Sequence, residues 1–137
     1  MTVRQFVPLY LLTLGVFFLI DMVWLGLAAK TFYRRHLGAL MAPRVVWPAA
    51  ILFYLLFIAG LIVFAVRPAL AAGSPIRALA LGALLGLVSY ATYDLTNLAT
   101  LKGWPVVVTL VDLVWGTALG GAVSWLSALL GRSLLKL

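Results

Sequence analysis

Asp21, Asp94 and Asp112 are the only acidic residues of the chain, and each interrupts a long apolar run. A carboxylate so placed can hold a cation, carry a proton or accept hydrogen bonds from its neighbours. An ionisable side chain within a bilayer costs roughly 2.5–3.5 kcal/mol on insertion scales, so a function or a strong local contact must keep it there. The richest string is Tyr90-Ala91-Thr92-Tyr93-Asp94-Leu95-Thr96-Asn97-Leu98-Ala99-Thr100. On a helix Tyr90, Tyr93, Asp94 and Asn97 follow i, i+3, i+4 and i+7 spacing and share one face. Asp112 is followed at i+3 by Trp115, and Asp21 by Trp24, within the matched hexamers Leu19-Ile20-Asp21-Met22-Val23-Trp24 and Leu110-Val111-Asp112-Leu113-Val114-Trp115. Each indole can donate an N–H to a nearby acceptor or rim a pocket. Three carboxylates, an amide and several hydroxyls suit a hard cation such as Mg²⁺, or a proton.

These residues must be positioned by membrane helices. Hydrophobic residues make up 66% of the 137 and charged residues only 9%, which excludes a soluble domain with a polar surface. The apolar runs predict an all-α, four-helix integral membrane bundle with antiparallel up-down connections, forming one domain over residues 1–137. Its helices are expected at about 6–29, 46–66, 75–101 and 105–130, each near the ~20 residues that cross a bilayer. A closed β-barrel would show shorter alternating segments. The first run is longer than the ~7–15 residues of a signal-peptide core, so it reads as a retained helix. Pro8 fits its first turn, Ser74-Pro75 a capped third-helix start, and Gly103-Trp104-Pro105 a tight turn into the fourth. Gly82 and Gly86 on the third helix face Gly116 and Gly120 on the fourth, two small-xxx-small faces that predict a close pair.

The formal charge is +7, but the basic residues cap apolar runs instead of forming one basic face, so nucleic acid is excluded as a partner. Lys30, Arg34, Arg35, Arg44 and Lys102 are expected to contact lipid headgroups, making membrane lipids the first partners. A homodimer or larger membrane complex is a further partner expectation. Arg4, Arg67, Arg77, Arg132 and Lys136 fall on the opposite side, so the positive-inside rule leaves five against five. The denser Lys30–Arg44 cluster favours its own side as cytoplasmic. Trp47, Trp104, Trp125, Tyr10 and Tyr33 read as interfacial belt residues. With no cysteine and one histidine, thiolate sites and a bis-histidine haem are excluded, no metal site is assigned, and the cofactor is left open.

Alternating helix directions put Asp21, Asp94 and Asp112 near the same membrane face, each on the order of 10 Å below it. Tyr54 falls at the same level, so every helix contributes to one polar layer. Asp94 and Asp112 should approach across the third and fourth helices, where like-charge repulsion and poor solvation would disfavour ionisation of at least one of them. The plainer alternative is structural glue, each Asp being held by a tyrosine, Asn97 or a down-reaching lysine. As a site, the layer would bind or transport a small polar or cationic ligand through Asp21, Trp24, Tyr54, Tyr90, Tyr93, Asp94, Asn97, Asp112 and Trp115. The other classes are a lipid-modifying membrane enzyme and an accessory subunit. Against the enzyme, the paired DxxxD spacings of metal-dependent prenyl or phosphatidyl transferases are absent.

Phe53-Tyr54-Leu55-Leu56, Gly82 to Leu87, Tyr93-Asp94-Leu95-Thr96-Asn97-Leu98-Ala99-Thr100 and Val111 to Gly116 together resemble a bacterial family of small predicted integral membrane proteins of unknown function. Asp21-x-x-Trp24-Leu25-Gly26 and Phe32-Tyr33 fit the same pattern, so the likeness covers nearly the whole chain. It implies four helices in a bacterial inner membrane and supplies no activity.

Overall fold

The computed structural model describes residues 1–137, the surroundings of the Ala29 side chain excepted. It is a bundle of four long helices, each long and apolar enough to cross a membrane. Helix α1 spans Val3–Trp24 and is capped where Gln5 Oε1 accepts the Thr2 amide N–H at 3.0 Å. Because it begins before Phe6, Pro8 lies inside the helix and not in its first turn, removing one backbone donor. The chain does not leave the helix at Lys30. It continues in a wide π register over Leu25–Tyr33 and an α turn at Arg34–Leu37, so most of the expected basic connector is helical.

Helix α2 spans Trp47–Leu61 and passes through a π turn, Ile62–Val66, into Arg67–Ala71. Arg67-Pro68 therefore continues this helix, where a stop was expected. Pro68 cannot donate to the turn before it, and the wider register upstream absorbs that loss. Helix α3 spans Pro75–Thr100 with Ser74 as N-cap, although the serine hydroxyl makes no capping bond. Helix α4 spans Val106–Leu134. The turns between these helices use Gly73 and Gly103 at φ +64° and +72°, a left-handed conformation that side chains disfavour. Arg132 Nη1 donates to the Gly73 carbonyl at 2.9 Å and ties the end of α4 to the α2–α3 turn.

Helices α3 and α4 meet backbone to backbone. A Cβ on Gly86 would fall on the Gly116 carbonyl, and one on Gly120 on the Gly82 carbonyl. Helix α1 packs on α4, and α2 closes the bundle through Phe57, Ile58, Leu61 and Ile62. An aromatic seam joins α1 to α2, with Phe17 5.5 Å from Tyr54 and 6.0 Å from Phe57. There Tyr10 donates its hydroxyl to the Leu55 carbonyl at 2.9 Å.

The outward surface is apolar, with Leu19, Leu27 and Val114 exposed by 75%, 77% and 71%. Such a surface is stable against lipid tails and not against water. The interior is uneven along the bundle. At the end holding the termini, Leu9, Val66, Ala69, Ala78 and Ala128 fill it completely. At the other end its buried residues include Asp21, Asp94, Thr109 and Asp112, and the helices splay around a cavity.

Candidate functional site

The cavity has a volume of about 450 Å³ and is lined from all four helices. Helix α1 contributes Asp21 and Trp24, its π extension Tyr33, α2 Phe53 and Tyr54, α3 Ser89, Tyr90 and Tyr93, and α4 Asp112 and Trp115. Seven of the nine residues expected at the site thus line one space. The structure does not bring the other two to the wall. Asp94 is fully buried behind Asp112, and Asn97 lies a turn further along α3 beside Tyr93. Asn97, four residues beyond Tyr93, is not among the residues that line the cavity.

Asp21 and Asp112 are almost fully buried, at 4% and 7% exposure. The Tyr54 hydroxyl and Trp115 indole N–H face the Asp21 carboxylate. The Tyr33 hydroxyl donates to Asp112 Oδ1 and in turn accepts the Trp24 indole N–H at 3.3 Å. The two Asp-x-x-Trp motifs are therefore exchanged. Each tryptophan serves the other motif's carboxylate, Trp115 directly and Trp24 through Tyr33. The indoles stack at 4.3 Å with 7° between their planes, which locks α1 against α4.

Tyr33 was expected at the membrane interface and instead points into the site. The π register is the reason. Nine residues separate it from Trp24, and at 3.6 residues per turn that is two and a half turns, the opposite face. A π turn takes roughly one residue more, so the same nine residues make about two turns and return Tyr33 beneath Trp24. Trp104 also departs from the belt expected of it. It is 7% exposed, donates its indole N–H to Thr109 Oγ1 at 3.1 Å and meets the edge of Tyr93 at 5.6 Å. Phe53 and Ser89 were not singled out by sequence. Phe53 adjoins Tyr54, and Ser89 precedes Tyr93 by one helical turn, spacing that could have marked them.

Burial, and then the hydrogen bond to and negative charge of Asp112, push the Tyr33 phenol well above its ordinary value of 10.0. It stays a donor at every pH at which the protein would work. The phenol's contribution to stability is accordingly fully present below pH 10.0 and declines as pH rises above it. Tyr33→Phe is expected to cost about 1.5–3 kcal/mol, the range for a hydrogen bond to a charged group. A melting curve in detergent measures the loss, and an unchanged midpoint would remove Tyr33 from the site.

The five basic residues expected at headgroups, Lys30, Arg34, Arg35, Arg44 and Lys102, are all exposed. Lys30, Arg34 and Arg35 stand on the helical extension of α1 that also carries Tyr33.

A family model described as "Predicted membrane protein (DUF2177)" matches residues 6–129, nearly the whole chain. The chain belongs to this family. No curated protein and no solved structure matches it. Membership and the four apolar helices make it a multi-pass membrane protein of a family whose function is unknown. The match covers the aspartates and every aromatic residue of the cavity.

Proposed function

We propose that this protein binds a small cationic solute within the membrane and carries it across, with Asp21 and Asp112 supplying the charge. One observation carries the reading. Two nearly buried carboxylates from α1 and α4 line a cavity of about 450 Å³ that, among the described residues, no lysine, arginine or histidine reaches. Buried carboxylates that served only to hold helices together would be expected to close on their partners and leave no space. The volume lies in the range of about 300–1,000 Å³ typical of small-molecule sites. Cavity at one end and filled core at the other suit a carrier resting open to one side. The bacterial inner membrane implied by the family resemblance is the setting of this proposal, with lipid phosphates held by the basic residues at the cavity end.

Asp21→Asn and Asp112→Asn keep shape and hydrogen bonding while removing charge. Each is expected to weaken binding of a monovalent cation to the purified protein by roughly tenfold or more, the worth of a charge-assisted contact. Calorimetry in nanodiscs reads the affinity, and flux into proteoliposomes reads transport. Unchanged affinity in both variants, with a lowered melting point alone, would leave the carboxylates as structural contacts. A lipid species that accumulates when the gene is deleted would favour the membrane-enzyme reading.

A further inference from the structure

The walls around the two carboxylates say more about the ion than the carboxylates do. We infer that the cavity selects an organic ammonium ion with no N–H to donate, a quaternary ammonium, over a metal ion or a primary amine. This rests on the cation-binding reading of the same cavity.

Three features point there. The first is the lining, in which Tyr33, Phe53, Tyr54, Tyr90 and Tyr93 reach the space from three different helical segments. Aromatic rings attract a cation through their quadrupole, and several around one void are the recognised way to hold an ammonium that cannot hydrogen-bond. The second is that one carboxylate, Asp112, already accepts a hydrogen bond from within the protein, and the other, Asp21, has two donors of the protein beside it. Tyr54 and Trp115 face Asp21, and Tyr33 donates to Asp112. Their charge persists while fewer lone pairs are left for a primary ammonium, which needs about three acceptors for its three N–H groups. The third concerns metals. Among the described residues no three carboxylate or imidazole side chains converge on one point. A hard divalent cation takes six or more oxygen ligands, and two carboxylates amid aromatic rings do not furnish them. The space itself, about 450 Å³, is far larger than one bare ion fills.

The test is calorimetric titration of the full chain in nanodiscs with benzyltrimethylammonium, its neutral carbon isostere neopentylbenzene, methylammonium and Mg²⁺. Benzyltrimethylammonium is expected to bind at least about tenfold more tightly than each of the other three, a ratio set by charge together with the rings. Phe53→Leu and Tyr93→Leu keep bulk while removing a ring, and each should weaken it roughly 2- to 30-fold. Both residues are half-exposed, so neither holds the core, and each variant's melting curve checks the fold. Affinity that survives both ring losses overturns the inference. So does tighter binding of methylammonium or Mg²⁺ that still depends on Asp21 and Asp112, and that result leaves the cation site itself standing. Neopentylbenzene binding as tightly as its charged partner, or indifference of every cation to both Asp→Asn changes, overturns the cation site as well.

Discussion

Gly86→Leu is expected to abolish the folded bundle, leaving protein that elutes as aggregate from size exclusion in mild detergent. Lipid tails are as apolar as leucine, so helices in a bilayer associate by close packing and not by removal of apolar surface from water. The α3–α4 pair depends on that packing most. A Cβ at Gly86 would land on the Gly116 carbonyl and lie 3.3 Å from Gly120 Cα, with backbone on both sides and nothing able to yield. A single methyl added to a packed core costs about 1–3 kcal/mol. A leucine side chain that must push the paired backbones apart costs more than so small a protein holds in reserve. Gly15→Leu is the control, because nothing lies within 4 Å of its Cβ position and α1 is exposed there. It should purify and melt as the parent does. Wild-type behaviour of Gly86→Leu would mean that the two helices do not approach as described.

The same contact shows why some of the fold was legible in sequence. Gly82, Gly86, Gly116 and Gly120 sit four apart, and helical geometry alone then makes two smooth faces that can only be used against each other. Apolar run lengths gave four membrane helices for an equally simple reason, since the bilayer core fixes how many residues a span needs. The π segments were not legible. Leu25–Tyr33 and Ile62–Val66 are ordinary in composition, and an extra residue per turn leaves no mark in hydrophobic periodicity. That one local change relocates Tyr33 from the expected interface to the carboxylate of Asp112.

Depth counting along the chain placed Asp21, Tyr54, Asp94 and Asp112 at one level, because rise per residue is nearly constant in a helix. It could not say which of them would face a common space, because that depends on how helices rotate and splay. Asn97 shares the Asp94 face by spacing, yet the cavity ends a turn before it. The exchange between Asp-x-x-Trp motifs was hidden for a related reason. Within one helix Trp24 is the natural neighbour of Asp21, and only the α1–α4 packing gives each indole to the other carboxylate's side. Sequence named Tyr54, Tyr90 and Tyr93 along with the carboxylates, and tertiary structure added Tyr33 and Phe53 to the wall.

Asp94→Asn is expected to uncouple cation binding from protons while leaving the binding itself largely intact. Asp94 is fully buried, and among the described residues no N–H or O–H donor reaches either of its oxygens. The groups around it are Asp112 on α4 and, on its own helix, Tyr90 and Tyr93, with Tyr33 of the α1 extension behind Asp112. None is basic. Two carboxylates facing each other without a cation are accommodated by one proton between them, since an unpaired buried charge is costly. Asp112 lines the cavity and Asp94 does not, so a cation arriving at Asp112 supplies the missing positive charge and the proton leaves. Binding to the wild-type protein should then release close to one proton and weaken by up to about tenfold for each unit that pH falls. The asparagine amide gives Asp112 a permanent N–H donor in the proton's place. Affinity in Asp94→Asn should therefore be nearly independent of pH. Titrations in two buffers of different ionisation enthalpy count the protons directly. If Asp94→Asn releases as many as the wild type, the proton comes from elsewhere and Asp94 is only a packing residue. If it releases none and still binds, the acid that sequence placed at the centre of the site acts from behind it, setting the charge that Asp112 presents to the ligand.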